Sequence, residues 1–182
     1  MASNTSITAA EVVAFWRDAG MEKWFGGGPA FDAQCRQVLG EAHMAASRRE
    51  LEAWLDEPEG ALALLILLDQ VPRNIFRGTG HAYATDPLAR HYAARAVDAG
   101  FDTQVDPALR VFVYLPFEHS EDLADQLRCI ELSRALDPEY MKYAVAHREV
   151  IERFGRFPHR NRDLGRVNTP DEQAWLDAGG GF

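Results

Sequence analysis

Three short stretches place side chains that could bind a ligand or catalyse a reaction directly beside large apolar ones. They are LLDQVPRNIFRG (67–78), YLPFEHSEDLADQ (114–126) and RFGRFPHRN (153–161). Burying a charge is costly unless an opposite charge and hydrogen bonds compensate for the lost water. The mixture therefore indicates either a binding site or a buried network of ion pairs. The candidate binding residues are Asp69, Gln70, Arg73, Asn74, Arg77, Glu118, His119, Asp122, Gln126, Arg153, His159, Arg160 and Asn161.

The second stretch contains carboxylates but no lysine or arginine. Glu118, Asp122 and Asp125 recur at helical spacing, so they share one face of a helix if that helix begins by Pro116. Like charges on one face repel one another unless cations neutralise them. With His119 beside them, these residues indicate an acid–base site or a cation site with oxygen ligands. The structural alternative is that they form one half of a buried ion network.

The third stretch is a short turn rich in arginine, in which Arg153 and Arg160 lie. A guanidinium binds carboxylate or phosphate oxygens through two parallel hydrogen bonds, so such a turn is suited to receive an anion. It is equally suited to neutralise the acids of 118–126 within the same molecule. We therefore predict a polar pocket in which these acids face the arginines of 153–160 and 73–77.

In the first stretch, Asp69 directly follows the apolar run ALALLILL (61–68), which predicts a buried helix. A negative charge near the C-terminal end of a helix opposes the helix dipole. Arg73, one turn later, is therefore the predicted partner of Asp69. Because Pro72 lacks a backbone donor, the regular helix should bend or end near Val71.

Size and charge exclude several classes of protein. The 182 residues suit one compact domain spanning 1–182, and the net charge of −9 argues against nucleic-acid binding. The longest apolar run is far below the roughly 20 residues that cross a bilayer, and the N-terminus lacks the pattern of a secretory leader. We therefore expect a cytoplasmic protein that does not bind membranes. Cys35 and Cys129 lack the spacing of a zinc site, so no metal and no cofactor are predicted.

Nearly every segment is predicted to be helical. Capping boxes are predicted at Thr8 with Glu11 and at Ser47 with Glu50, and Thr169, Pro170 and Glu172 are predicted to open the last helix. Gly20 is predicted to stop the first helix, and proline or glycine marks many other helix ends. The stretch VFVYL (111–115) has the composition of a strand, but no second strand is available to pair with it, so a helix is predicted there too. About eight or nine helices joined by short loops imply an all-α domain.

The three polar stretches, in this order, resemble the bacterial domain-of-unknown-function family 924. The resemblance runs through LLDQVPRNIFRGTGHAYATDPLA, YLPFEHSEDLADQ and RFGRFPHRNRDLGR and covers about residues 10–182. It implies antiparallel helix pairs in a tetratricopeptide-like right-handed superhelix, and it carries no assigned activity. Val71 stands where the family commonly has an aromatic residue. The matching motif residues are Asp69, Gln70, Arg73, Asn74, Arg77, Glu118, His119, Ser120, Asp122, Gln126, Arg153, Phe154, His159, Arg160 and Asn161.

Three functions are open on these observations. The leading hypothesis is a binding domain for a small polar or anionic molecule, or for a peptide terminus. In this hypothesis Arg73, Arg77 and Arg160 hold the oxygens of the ligand. A scaffold protein, whose polar cluster only fixes the fold, is a further option. The scaffold predicts that charge-neutral substitutions in the cluster lower the melting temperature and change nothing else.

The alternative is a hydrolase-type enzyme. Glu118 or Asp122 would act as the base, and His119 or His159 would act as the acid. No nucleophile is evident, because Ser120 has no base arranged for it. The catalytic residues are therefore unknown, and whether the chain is an enzyme is open. The remaining histidines are interpreted as surface or core residues without metal-ligand spacing, namely His43, His81, His91 and His147.

Overall fold

The fold is built from helices. The structure is a computed structural model that describes residues 7–182, and no segment in that range forms a β-strand. The predicted all-α fold is confirmed, and VFVYL (111–115) forms most of a helix as predicted. None of the helices in the described range has the length and apolar content to cross a bilayer. The α-helices are α1 (Ala9–Gly26), α2 (Gly28–Ser47), α3 (Pro58–Leu65), α4 (Val71–Ile75), α5 (Asp86–Asp98), α6 (Val111–Glu118), α7 (Leu123–Ser133), α8 (Pro138–Phe154) and α9 (Pro170–Asp177).

The described residues fall into two compact units. Unit 1 comprises the chain up to Arg77 together with His81–Pro116, and unit 2 comprises Gly78–Gly80 together with Phe117–Phe182. The candidate residues of the first polar stretch belong to unit 1, and those of the second and third stretches belong to unit 2. The single domain and the tetratricopeptide-like superhelix stay predictions.

The core of unit 1 includes the fully buried Trp16 of α1. Thr8 and Glu11 form the predicted capping box at the start of α1. The capping box predicted at Ser47 and Glu50 is wrong, because Ser47 is the last residue of α2 and its hydroxyl donates to Met44 O at 2.8 Å. The Trp16 ring packs edge-to-face on Phe112 of α6, with ring centroids 5.7 Å apart. Gly20 adopts a φ of 75° and kinks α1. This conformation is available to glycine without steric cost, so the kink falls where the sequence predicts the helix to stop.

A π-helical turn at Ile66–Gln70 lies between α3 and α4. Val71 N–H donates to Ile66 O, which is one residue further back than in an α-helix. Pro72, the next residue, has no N–H to donate. The regular helix is thus interrupted near Val71 as predicted, and the carbonyls of Leu67 and Leu68 lose their usual helical donors.

Side chains from two other helical segments replace these missing donors. His43 of α2 donates through Nδ1 to Leu67 O at 2.8 Å. Thr85, just before α5, donates through Oγ1 to Leu68 O at 2.5 Å. A buried carbonyl without a donor is rare because it costs free energy comparable to a lost hydrogen bond. The two contacts therefore tie α2 and the start of α5 to the π-helical turn.

Asp69 is fully buried at this turn. Arg73 Nη1 lies 3.3 Å from Asp69 Oδ1, so the predicted ion pair is confirmed. The same guanidinium makes two parallel hydrogen bonds to Asp86, at 2.8 and 2.9 Å. Gln70 Nε2 also donates to Asp69 Oδ2 at 2.6 Å. The Asp69 charge is therefore neutralised by a guanidinium whose orientation is fixed by a second carboxylate.

In unit 2, α7 packs against α8. At the end of α8, Gly155 adopts a φ of 68°, a left-handed conformation that terminates the helix and begins the arginine-rich turn. The apolar core of this unit contains Val150, Ile151 and Phe157, with Phe154 and Trp175 packed against it. The turn that carries the third polar stretch is thus anchored in the core by its aromatic residues.

The predicted acidic helix face is wrong. α6 ends at Glu118, and the helix that contains Asp125 begins only at Leu123. Asp122 caps α7 by accepting a hydrogen bond from Ala124 N–H, as short polar side chains do at helix starts. Glu118 and Asp125 consequently belong to different helices, and the repulsion expected along one face does not arise.

Replacing Thr85 by valine should lower the free energy of unfolding by about 1 kcal/mol, because Leu68 O would lose the hydrogen bond from Thr85. Thr103 is a matched control, because its Oγ1 also donates to a carbonyl, that of Gly100, but at an exposed position. Urea unfolding of both valine variants measures the difference. Equal losses of stability would contradict the role assigned to Thr85.

The stability of the fold should fall as the pH drops below the unfolded-state histidine value of about 6.5. Burial lowers the pKa of His43, although the hydrogen bond to Leu67 O opposes the shift. The unfolded chain therefore binds this proton at a pH where the native state does not. Unfolding free energies at pH 7.5 and 5.5 should differ less in H43Q than in the wild-type protein. An unchanged difference would exclude His43 as a source of acid sensitivity.

Candidate functional site

In unit 1, the candidate residues are joined to one another and to neighbouring carboxylates. Arg77 pairs with Asp32 through two hydrogen bonds of 2.8 Å. Asn74 Nδ2 donates to Gln70 O at 3.1 Å. The Arg73 guanidinium is likewise held by two carboxylates. These contacts use donors that an anionic ligand would need, so the geometry favours a structural role for the first stretch.

In unit 2, the acidic stretch meets the arginine-rich segment through Glu121 and Arg166. The Arg166 guanidinium donates to both carboxylate oxygens of Glu121, at 2.7 and 2.9 Å. Phe157 N–H donates to the same carboxylate at 2.7 Å. Burial alone would raise the pKa of Glu121, but the hydrogen bonds from Arg166 and Phe157 lower it below its ordinary value. Neither member of this pair was among the candidate residues.

A second pair, between Glu172 and Arg156, adjoins the first. Arg156 donates to both oxygens of Glu172, at 2.7 and 2.8 Å, and this contact is the main cause that lowers the pKa of Glu172 to about 2. Thr169 N–H also donates to Glu172, at 2.8 Å. Asn161 connects the two pairs, because it donates to Glu172 and accepts from Arg166 Nε at 2.7 Å. The candidate residue Asn161 therefore belongs to an ion-pair frame.

Two candidate residues of unit 2 lie at its surface. Asp122 is exposed, and its carboxylate caps α7. Arg153 is also exposed, and its guanidinium lies 4.6 Å from the ring centroid of Phe154. This is the geometry of a cation–π contact. Both residues thus have local structural roles.

Two other candidate residues hold the backbone of the turn after α6. The fully buried Gln126 donates through Nε2 to Glu118 O at 2.6 Å and to Ser120 O at 2.7 Å. Arg160 donates through Nη1 to His119 O at 3.0 Å. Three consecutive carbonyls are therefore fixed by side chains from elsewhere in unit 2. The side chains of Glu118 and His119 project from a backbone that is held in place.

This turn and α8 bring one carboxylate and two imidazoles together. One oxygen of Glu118 and one nitrogen each of His119 and His147 all lie within 4.8 Å of one another. Glu118 and His147 are each 6% exposed, and His119 is half-buried. Bonds of about 2.0–2.2 Å to a divalent metal place ligand atoms up to roughly 4 Å apart, so small side-chain movements would complete a three-ligand site.

His147 is presented to this cluster as a neutral imidazole. Its Nδ1 donates to Tyr143 O, one turn earlier on α8, at 2.9 Å, and the same nitrogen lies 3.4 Å from Glu118 Oε1, so coordination through Nδ1 would require its proton to move to Nε2. Burial lowers the pKa of His147 to about 3, and the charges of His119, Arg160 and His159 act in the same direction. A neutral imidazole is the form that binds a metal ion.

The nucleophilic side chains near the cluster are not activated. Cys129 Sγ lies 3.9 Å from Glu118 Oε2, and burial, with the charge of Glu118, raises the pKa of this thiol to about 12. A thiol that keeps its proton at neutral pH is a poor nucleophile. Ser120 donates its hydroxyl proton to Asp125 at 2.7 Å rather than to a histidine. A hydrolytic reaction at this cluster would therefore have water as its nucleophile.

Sequence reasoning included Glu118 and His119 among the candidates but missed His147. The signal was weak, because His147 stands between Ala144 and Val150 on the buried face of α8. A histidine on such an apolar face is usually a core residue, and its spacing from His119 matches no metal-ligand motif. Only the packing of unit 2 brings the two imidazoles together. The absence of a metal stays a prediction.

Comparisons with known proteins give a family but no activity. The family model described as a bacterial protein of unknown function (DUF924) matches residues 12–180. A similar solved structure is that of a protein of unknown function, ATU0120, from Agrobacterium tumefaciens. It is 51% identical, with 97% of this chain and 100% of that chain covered and a TM-score of 0.92. No curated protein matches the chain. The chain belongs to the DUF924 family, as its three polar stretches predicted.

A double-mutant cycle should measure a coupling of about 1–3 kcal/mol between Glu121 and Arg166, because both partners are partly buried and share two hydrogen bonds. The variants are E121Q, R166Q and their combination, compared by urea unfolding. The exposed pair Glu139 and Lys142, whose side chains are 58% and 72% accessible to solvent, is the control and should show no measurable coupling. Equal coupling in the two pairs would contradict a framework role for Arg166.

Proposed function

We propose that this member of the DUF924 family binds a divalent transition-metal ion through Glu118, His119 and His147 and uses it to hydrolyse a small polar molecule. The convergence of these three ligand atoms within 4.8 Å carries the proposal. Two imidazoles and one carboxylate suit zinc and its first-row neighbours, whereas calcium and magnesium prefer sites made of oxygen alone.

The number of protein ligands favours a catalytic metal over a structural one. Structural zinc sites are usually closed by four protein ligands, whereas catalytic sites have three and leave a position for water or substrate. Here the half-buried His119 gives the cluster a side that solvent can reach. The backbone contacts of Gln126 and Arg160 support the turn that carries two of the three ligands.

The reaction that suits this arrangement is hydrolysis by metal-bound water. A metal ion lowers the pKa of its bound water to about 7, so hydroxide forms at neutral pH. A metal held by Glu118, His119 and His147 would supply the hydroxide for hydrolysis, in which the bond to the leaving group breaks and that group takes the proton that the water has lost. The raised pKa of Cys129 and the hydrogen bond from Ser120 to Asp125 favour water over a protein nucleophile.

In this proposal, the small polar or anionic ligand predicted from the sequence is the substrate. Its oxygen would bind the metal instead of Arg73 and Arg77, which already share their donors with carboxylates. Arg160 would act as a positioning residue, because it donates to His119 O. The metal-free hydrolase, with Glu118 or Asp122 as base and His119 or His159 as acid, uses the same region and is distinguished by its independence of metal.

Isothermal titration with Zn²⁺ should show one equivalent bound, and Co²⁺ should give visible absorption bands from coordination by nitrogen and oxygen. E118Q and H119A should each lower the affinity by at least about tenfold, because each removes a ligand. H91A, which removes an exposed histidine of unit 1, is the matched control and should bind metal like the wild-type protein.

The reaction is tested with a panel of p-nitrophenyl esters and phosphates. Turnover should require added metal, stop with EDTA and be lost in E118Q. Wild-type protein that binds neither Zn²⁺ nor Co²⁺ would refute the proposal. Turnover that survives EDTA would replace it by the metal-free acid–base enzyme.

A further inference from the structure

Three aromatic side chains of unit 2 form a slot around the ring of Phe182. The Phe182 ring stacks on the imidazole of His147, with centroids 3.7 Å apart and planes inclined by 13°. Phe157 and His159 meet the same ring edge-on, at 6.3 and 5.7 Å and at 87° and 85°. One stacked and two edge-to-face neighbours are the arrangements that aromatic rings prefer. The slot is therefore specific for a flat aromatic group.

The segment that carries Phe182 has few hydrogen bonds to the rest of unit 2. It follows α9 as three glycines, residues 179–181, and the last backbone hydrogen bond along it runs from Gly180 N–H to Trp175 O. Within the part of the chain that the structure describes, no hydrogen bond holds Gly181 or Phe182. Phe182 is 55% exposed. Its ring is thus held by ring contacts without a hydrogen bond, at the end of a glycine segment that packs on Trp175 and whose ordering is opposed by the entropy of glycine.

The slot shares a side chain with the proposed metal site. His147 offers its ring face to Phe182 and belongs to the Glu118–His119–His147 cluster. A molecule whose aromatic ring replaced Phe182 on His147 would hold its next few atoms close to this cluster. The ring and the reacting group would therefore have to lie on one small molecule.

We propose that the slot formed by His147, Phe157 and His159 is the aromatic subsite of this centre, and that Phe182 occupies it until a ligand ring takes its place. The ligand class is an aromatic ring joined through a short linker to an amide, ester or carboxylate, whose oxygen reaches Glu118, His119 and His147. The choice of substrate rests on the proposed function, but the binding of the ring does not require a metal.

The tethered ring lowers the affinity for such a ligand. A short flexible tether gives an attached group an effective concentration in the millimolar range, so Phe182 competes with a free ring that makes similar contacts. The apparent affinity falls in proportion to the fraction of molecules in which the slot is open. Removing the Phe182 ring should therefore strengthen binding of the free ligand.

The test uses phenylacetamide as the probe, with cyclohexylacetamide as a matched probe of similar size that cannot stack. Binding to wild-type protein and to F182A is measured by NMR titration in EDTA. Because Phe182 is exposed, its replacement leaves the core intact. F182A should bind phenylacetamide about tenfold or more tightly than the wild-type protein, and cyclohexylacetamide should show no such gain.

The His147 ring protons provide a second measurement. In the wild-type protein they should be shifted upfield by the stacked Phe182 ring, and the shift should be lost in F182A and restored by phenylacetamide. Equal affinity of the two proteins for phenylacetamide, or an equal gain with cyclohexylacetamide, would overturn the subsite. The Zn²⁺ titration does not depend on these outcomes. The aromatic subsite can therefore fail while the metal site is supported, and the two results are distinguishable.

Discussion

Carboxylate–guanidinium pairs are the interaction on which the arrangement within each unit depends, because the two most deeply buried carboxylates of the described residues, Asp69 and Glu172, each lie beside an arginine. Asp69 is fully buried with Arg73, and Glu172 is 2% exposed with Arg156. Guanidiniums hold carboxylates through paired hydrogen bonds in both units, so they fix orientation as well as charge. Losing one partner would leave the other charged and desolvated, which costs more than the pair contributes.

The elements that depend on local chemistry could be predicted from the sequence, and the choice of distant partners could not. The capping box of Thr8 and the helix at 111–115 follow from neighbouring residues or from the lack of a partner strand. By contrast, Arg166 reaches Glu121 across 45 positions, and the sequence offers several arginines for each acid. The prediction of one acidic helix face was wrong because Asp122 caps the start of α7 instead of lying within a helix. The amino-acid composition of the stretch does not distinguish these two positions.

In the candidate site, too, local features could be predicted from the sequence and distant contacts could not. The polar residues of the second and third stretches were recognised as unusual, but composition cannot distinguish a residue that binds a ligand from one that holds the backbone. Gln126 and Arg160 donate to backbone carbonyls, so they position Glu118 and His119. His147 carries no signal of its own in the sequence. It becomes a candidate ligand only because α8 brings its imidazole to the turn after α6.

The environment of His147 bears directly on the kind of chemistry that unit 2 can support. General acid–base catalysis works best with a pKa near the operating pH, and burial lowers the pKa of His147 to about 3. At neutral pH His147 is therefore not protonated. It can neither donate a proton as an imidazolium ion nor accept one effectively as a base. Metal binding has the opposite requirement, because protons compete with the metal for the ring nitrogen. Under the proposed function, the burial that keeps His147 unprotonated leaves it in the neutral form that a metal ion would require.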